Sequence, residues 1–231
     1  MSIKENVKAI RDIISDSAKK SGRQPSDIKI IGVTKTVEVE RINELLEAGV
    51  TEIGENRVQE FLPKHEYFSK KETHPSKWHF IGHLQRNKVK FIADKVDLIH
   101  SVDSLPLASE INRRGEQLDK VINILAEINI SGEASKFGIP PSDILKFVEN
   151  LANMRFVRLS GLMCVPPFVE NPEENREFFA KMKKIMVDIQ KKCIYHTELI
   201  ELSMGMSGDL AVAISEGATM VRIGTALVRR K

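Results

Sequence analysis

Eight times along 231 residues, a short run of β-branched and other apolar residues gives way to a segment with helical spacing. That alternation constrains the fold more than any other feature of the chain. The first run, Ile28-Lys29-Ile30-Ile31-Gly32-Val33, is nearly continuous in apolar character, as a parallel strand covered on both faces requires. Before it, Val7, Ile10, Ile14 and Ala18 keep helical spacing, so the chain opens with a helix that Gly22 and Pro25 end. After it, a helix runs through Ile42, Leu45 and Leu46 to a stop at Gly49. Further strands are expected at 51–53, 77–81, 98–101, 121–130, 157–163, 199–203 and 219–223. Helices are expected between them at 57–70, 87–95, 105–115, 142–151, 172–192 and 209–216. Strands separated by helices make a parallel α/β sheet, and eight units in this length fit a closed (β/α)8 barrel with an extra N-terminal helix. Neither a Gly-rich dinucleotide fingerprint nor a P-loop sequence is present, which argues against the open-sheet alternatives. No linker, repeat or low-complexity tract interrupts the pattern, so residues 1–231 read as one domain.

A net charge of +3 gives no case for nucleic acid; the basic stretches Arg86 to Lys90 and Arg229 to Lys231 read as solvated surface. Cys164 and Cys193 make neither a disulfide framework nor a paired metal motif, and suit a reducing compartment. The first twenty residues mix both charge signs and lack the apolar core of a signal peptide, and no apolar run approaches a membrane span. A cytoplasmic protein is expected. His79 and His83 stand at i, i+4, but on a strand that spacing does not put both rings on one face, so no metal is expected there or with His74. His79 is expected near the barrel mouth instead.

In such barrels the working groups stand at the C-terminal ends of strands, and a phosphate commonly binds beyond strands seven and eight. The first strand ends in Gly32-Val33-Thr34-Lys35, which places an amine at the mouth, where partial desolvation would free it for Schiff-base chemistry. The seventh strand ends in Ser203-Met204-Gly205-Met206-Ser207-Gly208, and the eighth in Arg222-Ile223-Gly224-Thr225. Amides at Gly224 and Thr225, with hydroxyls from Ser203 and Thr225, suit a dianionic phosphate. Together these describe an amine for an aldehyde and a cradle for the phosphate attached to it. Lys136, after the fifth strand, is a second amine on the same face; Glu127 and Asn129 alternate with apolar neighbours and need partners if they face inward. Met182, Ile185, Met186 and Ile189 form a stripe of core packing.

The blocks GVTKT around Lys35, GENRVQE (Gly54 to Glu60), WHFIGHLQRNK (Trp78 to Lys88), HSVDS (His100 to Ser104), GLMCVPP (Gly161 to Pro167), LSMGMSGDL and MVRIGTA occur in this order. Together they resemble the pyridoxal phosphate homeostasis protein family, stand-alone barrels similar to the N-terminal domain of bacterial alanine racemase. The resemblance implies that Lys35 holds pyridoxal 5′-phosphate as a Schiff base. It implies further that Ser203, Gly224 and Thr225 hold the phosphate, that Arg222 faces the pyridine nitrogen and that Asn56 lies near the ring. Departures are mild: Val37-Glu38 stand where relatives often carry Lys-Pro, and His83 and Arg86 where some carry Pro and Ser.

An arginine at the pyridine nitrogen disfavours a second positive charge there, which weakens the ring as an electron sink. The chain stops six residues after Thr225, with no room for the further β domain that completes a racemase site. The expected function is therefore holding pyridoxal phosphate in intracellular vitamin B6 homeostasis and amino-acid/keto-acid balance. On this reading Lys35 is an anchor and not a catalytic residue, and pyridoxal-phosphate-dependent apo-enzymes are candidate recipients. A pyridoxal-phosphate-dependent amino-acid racemase or lyase is the alternative; a cofactor-free Schiff-base aldolase using Lys35 is a third. No large apolar seam is visible on the helices, so a monomer is expected.

Overall fold

Each apolar run becomes a strand whose side chains alternate between the barrel interior and the surrounding helices, following the period of two. The structure, a computed structural model, describes residues 2–71, 77–192 and 199–229; His74, Cys193, Arg230 and Lys231 lie outside the described residues. The strands are β1 (Lys29–Val33), β2 (Glu52–Glu55), β3 (Lys77–Phe80), β4 (Leu98–Val102), β5 (Ile122–Glu127), β6 (Val157–Met163), β7 (Glu201–Ser203) and β8 (Met220–Ile223). They pair in parallel and in chain order, and β1 closes the barrel on β8 with Gly32 opposite Ile223. This is the expected (β/α)8 barrel. Ile31, Leu98, Leu125, Met163 and Met220 pack together as an apolar cluster of their own. The larger core lies between the outer strand faces and the helices.

The helices are α1 (Ile3–Lys20), α2 (Val39–Glu47), α3 (Val58–Ser69), α4 (Leu105–Leu118), α5 (Ile144–Leu151), α6 (Arg176–Lys191), α7 (Leu210–Ser215) and α8 (Thr225–Val228). The extra helix α1 begins with a capping box, in which Glu5 N donates to Ser2 Oγ at 3.2 Å and Ser2 N to Glu5 Oε2 at 2.7 Å. It covers the β8–β1 side by packing on α2, α7 and α8. Asn6 secures it by donating to the carbonyls of Leu227 and Arg229 at 2.9 and 3.0 Å.

Two expectations change. The helix expected at 87–95 is a shorter 3-10 turn, Arg86–Phe91, which still buries Val89. Helical spacing of apolar residues does not separate the two forms in so short a connection. The fifth strand ends at Glu127 and not near 130. Beyond it, Asn129 N donates to Ile139 O at 3.1 Å and Ile139 N to Glu127 O at 2.7 Å, so the chain pairs with its own loop and leaves the barrel.

Phe61 of α3 is fully buried and meets Trp78 edge to face, with ring centroids 5.4 Å apart. Phe61→Ala removes this contact and leaves a cavity, with an expected loss of about 3–5 kcal/mol. Urea unfolding should show a lower midpoint with an unchanged slope.

Candidate functional site

Lys35 lies two residues beyond β1, in a turn at the C-terminal mouth. The turn is held from below. Thr34 is buried and donates through Oγ1 to Glu55 Oε1 at 2.6 Å; Lys64 Nζ bridges the Thr34 carbonyl and Glu55 Oε1, at 2.7 Å each. Thr36 takes a left-handed backbone, φ 60, which is strained for a β-branched residue, and its amide donates to Glu60 Oε2 at 2.8 Å. α3 thus supplies both Lys64 and Glu60 to a turn made by β1. Lys35 itself is exposed, and its amine has no partner among the described residues. The desolvation expected from its position at a strand end is absent, because the mouth above it stays open.

Beside Lys35 lies a cavity of about 980 Å³, within the range of cofactor sites. Five of the six residues expected at the site line it: Lys35, Asn56, Arg222, Gly224 and Thr225. Asn56 Oδ1 is buried and without a partner. The sixth, Ser203, does not line the cavity. It is the last residue of β7, turned into the barrel and fully buried, where it accepts from Arg222 at 2.6 Å and meets His100 Nδ1 at 2.9 Å. Strand alternation accounts for this, since a hydroxyl reaches the mouth only once the strand has ended.

The β7–α7 hydroxyl that does reach the mouth is Ser207, a residue that nothing in the local sequence distinguishes from Ser203. The amides of Ser207, Gly208, Gly224 and Thr225 donate to no group among the described residues. The β7–α7 turn that presents two of them is fixed by Asp209, whose Oδ1 accepts from Met206 N at 2.7 Å. Its other oxygen accepts from Asn175 at 2.9 Å, and Asn175 also donates to Pro167 O at 3.2 Å, tying the β6–α6 loop to the same turn.

Arg222 projects from β8 into the barrel and forms part of the cavity floor. One terminal nitrogen donates to Ser203 O and Oγ at 2.8 and 2.6 Å, and the other to Cys164 O at 2.8 Å. Burial lowers the Arg222 pKa from its ordinary value, and the negative charges around it, Glu127 and Asp209 among them, oppose the shift. The neighbouring Cys164 thiol is pushed up to about 12, chiefly by burial, so it stays neutral.

The remaining candidates fall on the opposite rim or below it. Lys136 lines the cavity, half-buried, with its amine 2.8 Å from Glu133 Oε1. Asn129 does not face inward; it organises the loop, donating to the carbonyls of Glu133 and Lys136 at 2.9 and 3.2 Å. His79 sits deeper than expected, inside the barrel, 2.9 Å from His100. His83 stacks on Phe137 with ring centroids 3.8 Å apart. Among the described residues no group of three or more His, Cys, Asp and Glu could hold a metal ion, and no helix is long and apolar enough to cross a membrane.

The side-chain carboxyl of Glu127, at the end of β5, has no hydrogen-bond or ion-pair partner among the described residues. Burial and the charge of Asp103 push its pKa up to about 7 from 4.5, against the pull of Arg222. The folded state therefore holds this proton more tightly than the unfolded chain. The resulting stability is complete below about pH 4.5 and is lost as pH rises to about 7. Glu127→Gln should abolish that decline and leave the variant more stable than the parent at pH 8, by at most about 3 kcal/mol. Urea titrations at pH 5 and 8 check this; equal pH dependence in both proteins would refute it.

Comparison with known proteins matches residues 2–230 to the family described as alanine racemase, N-terminal domain. The chain is 42% identical over 223 residues to the pyridoxal phosphate homeostasis protein of Aquifex aeolicus, covering 96% of each. Among solved structures it is similar to a protein from Bifidobacterium adolescentis, with a TM-score of 0.92 and 33% identity over 97% of this chain and 94% of that one. It is also similar to PipY of Synechococcus elongatus with pyridoxal phosphate bound, with a TM-score of 0.82 and 31% identity over 94% of this chain and 100% of that one. The chain belongs to the alanine racemase N-terminal domain family, and within it to the pyridoxal phosphate homeostasis proteins.

Proposed function

We propose that this protein binds pyridoxal 5′-phosphate as a Schiff base on Lys35 and serves pyridoxal phosphate homeostasis as a carrier. The observation that carries the proposal is the convergence of unsatisfied groups on one cavity. These are an exposed amine at Lys35, amides at Ser207, Gly208, Gly224 and Thr225 that have no partner among the described residues, and Arg222 in the floor. Polar groups left without protein partners and gathered on one cavity fit a polar ligand. When bound, pyridoxal phosphate supplies an aldehyde that condenses with an amine, and a ring that withdraws electrons.

The residues divide the work. Thr34, Glu55 and Lys64 hold the Lys35 backbone so that its amine stays at the mouth. Ser207, Gly208, Gly224 and Thr225 hold the phosphate, while the Ser203 hydroxyl is engaged by Arg222. Arg222 donates to the pyridine nitrogen; its fixed charge disfavours ring protonation, and the weaker electron sink suits holding the cofactor more than carbanion chemistry. The open mouth around Lys35 suits exchange with solvent and with pyridoxal-phosphate-dependent apo-enzymes. Phe168, 97% exposed, stands with Val165 and Met206 on the cavity rim as the surface a recipient would cover.

Absorption spectra of protein loaded with pyridoxal phosphate test this. The parent should show a visible band that Lys35→Ala loses. Thr225→Val should keep the band and weaken phosphate-dependent binding by about 10-fold to 100-fold, the effect of losing one charge-assisted hydrogen bond. A parent that takes up no cofactor would sink the proposal. Rapid exchange of an amino acid's α-proton with solvent would replace the carrier by the racemase or lyase.

A further inference from the structure

A chain of polar side chains runs through the barrel interior, from its N-terminal face to the cavity floor. Glu52, at the start of β2, brings Oε2 to 3.1 Å from His79 Nε2, a close approach whose angle does not make a hydrogen bond, so Nε2 is without a hydrogen-bond partner among the described residues. His79 Nδ1 lies 2.9 Å from His100 Nε2, and His100 Nδ1 lies 2.9 Å from Ser203 Oγ. Arg222 then donates to Ser203 Oγ at 2.6 Å. Five strands, β2, β3, β4, β7 and β8, contribute one residue each. Both imidazoles are buried.

The two ends of this chain are chemically unequal. A guanidinium can only donate and a carboxylate can only accept, so the groups between them have to pass hydrogens from Arg222 towards Glu52. Ser203 Oγ accepts from Arg222, so its own hydrogen needs an acceptor, and the one within reach is His100 Nδ1. His100 then carries its proton on Nε2 and donates to His79 Nδ1. His79 in turn carries its proton on Nε2, the nitrogen that lies 3.1 Å from Glu52. The reverse order leaves the buried Ser203 hydrogen with no acceptor, at the cost of an unmade hydrogen bond in the interior. Burial, with the charge of Arg222, holds His100 well below the ordinary histidine range, so its ring is neutral. At the far end burial raises the Glu52 pKa, but its neighbours, Lys77 and Lys29 among them, outweigh it and hold Glu52 below the usual carboxylate range.

We infer that Ser203, His100 and His79 form a one-way hydrogen-bond relay, ending beside Glu52, that holds the Arg222 guanidinium fixed in orientation, with both imidazoles neutral and protonated on Nε2. His79 and His100 are positioning residues. The lone pairs of every link point towards Arg222 and its hydrogens towards Glu52, so the aligned dipoles stabilise both buried charges. Three of the five guanidinium N–H groups are spent on Ser203 and Cys164, which leaves two for a ring nitrogen in the cavity. This last step rests on the proposed cofactor; the direction of the relay does not.

Two measurements separate these parts. Long-range nitrogen–proton NMR of 15N-histidine-labelled protein without cofactor, at pH 7.5, should show His79 and His100 as neutral Nε2–H tautomers. An Nδ1–H tautomer or a protonated ring at either position would overturn the relay. Ring-15N pyridoxal phosphate bound to the parent, His100→Leu and His100→Gln then reports the nitrogen that Arg222 meets. Its resonance should move in His100→Leu and return in His100→Gln, whose amide again offers one acceptor and one donor. An unmoved resonance in His100→Leu would overturn the positioning role. A parent that binds no pyridoxal phosphate would count against the functional reading alone, while the histidine tautomers still test the relay.

Discussion

A guanidinium buried inside a barrel is expensive unless its hydrogens and its charge are both answered, and the interior of this protein is arranged around doing so for Arg222. Cys164 and Ser203 give up backbone carbonyls to it, which needs β6 to run straight into its loop and β7 to end where it does. The strand register that places Ser203 beneath Arg222 also places His100 beneath Ser203 and His79 beside His100. Only a polar column could occupy that part of the interior. The apolar cluster of Ile31, Leu98, Leu125, Met163 and Met220 fills another part.

The site above follows a different rule. The floor is held by hydrogen bonds from Arg222 to Ser203 and Cys164, whereas the mouth is lined with groups that have no partner among the described residues. The Lys35 turn is fixed by Thr34, Glu55, Lys64 and Glu60, yet the Lys35 amine is free. The β7–α7 turn is fixed by Asp209 and Asn175, yet its amides at Ser207 and Gly208 are unused. A ligand that carries both an aldehyde and a phosphate answers both. That combination fits a family whose members are named for keeping a cofactor in supply.

Much of this was legible in the chain. The periodic runs gave the barrel, because a strand covered on both faces needs continuous apolar character and an amphipathic helix does not. Lys35, Gly224 and Thr225 could be placed at the mouth because a residue at a strand's C-terminal end reaches it whatever the details of packing, while Asn56 came from the family resemblance. Ser203 and Ser207 were not told apart, since the last residue of β7 is set by its pairing with β6 and β8 and carries no local mark. The 3-10 turn at Arg86–Phe91 escaped for a similar reason, as Val89, its one buried position, fixes no helical period.

The sequence by itself determined the order and kind of the elements, the barrel they close into and the residues at its mouth, because each depends on local periodicity and on position at a strand end. The tertiary structure alone decided which polar groups are spent and which are free. Glu52, His79, His100, Ser203 and Arg222 are scattered over about 170 positions of chain, and no spacing links them. They meet because closing the barrel turns one side chain from each of five strands towards the same interior, where the need to satisfy a buried charge fixes their partners.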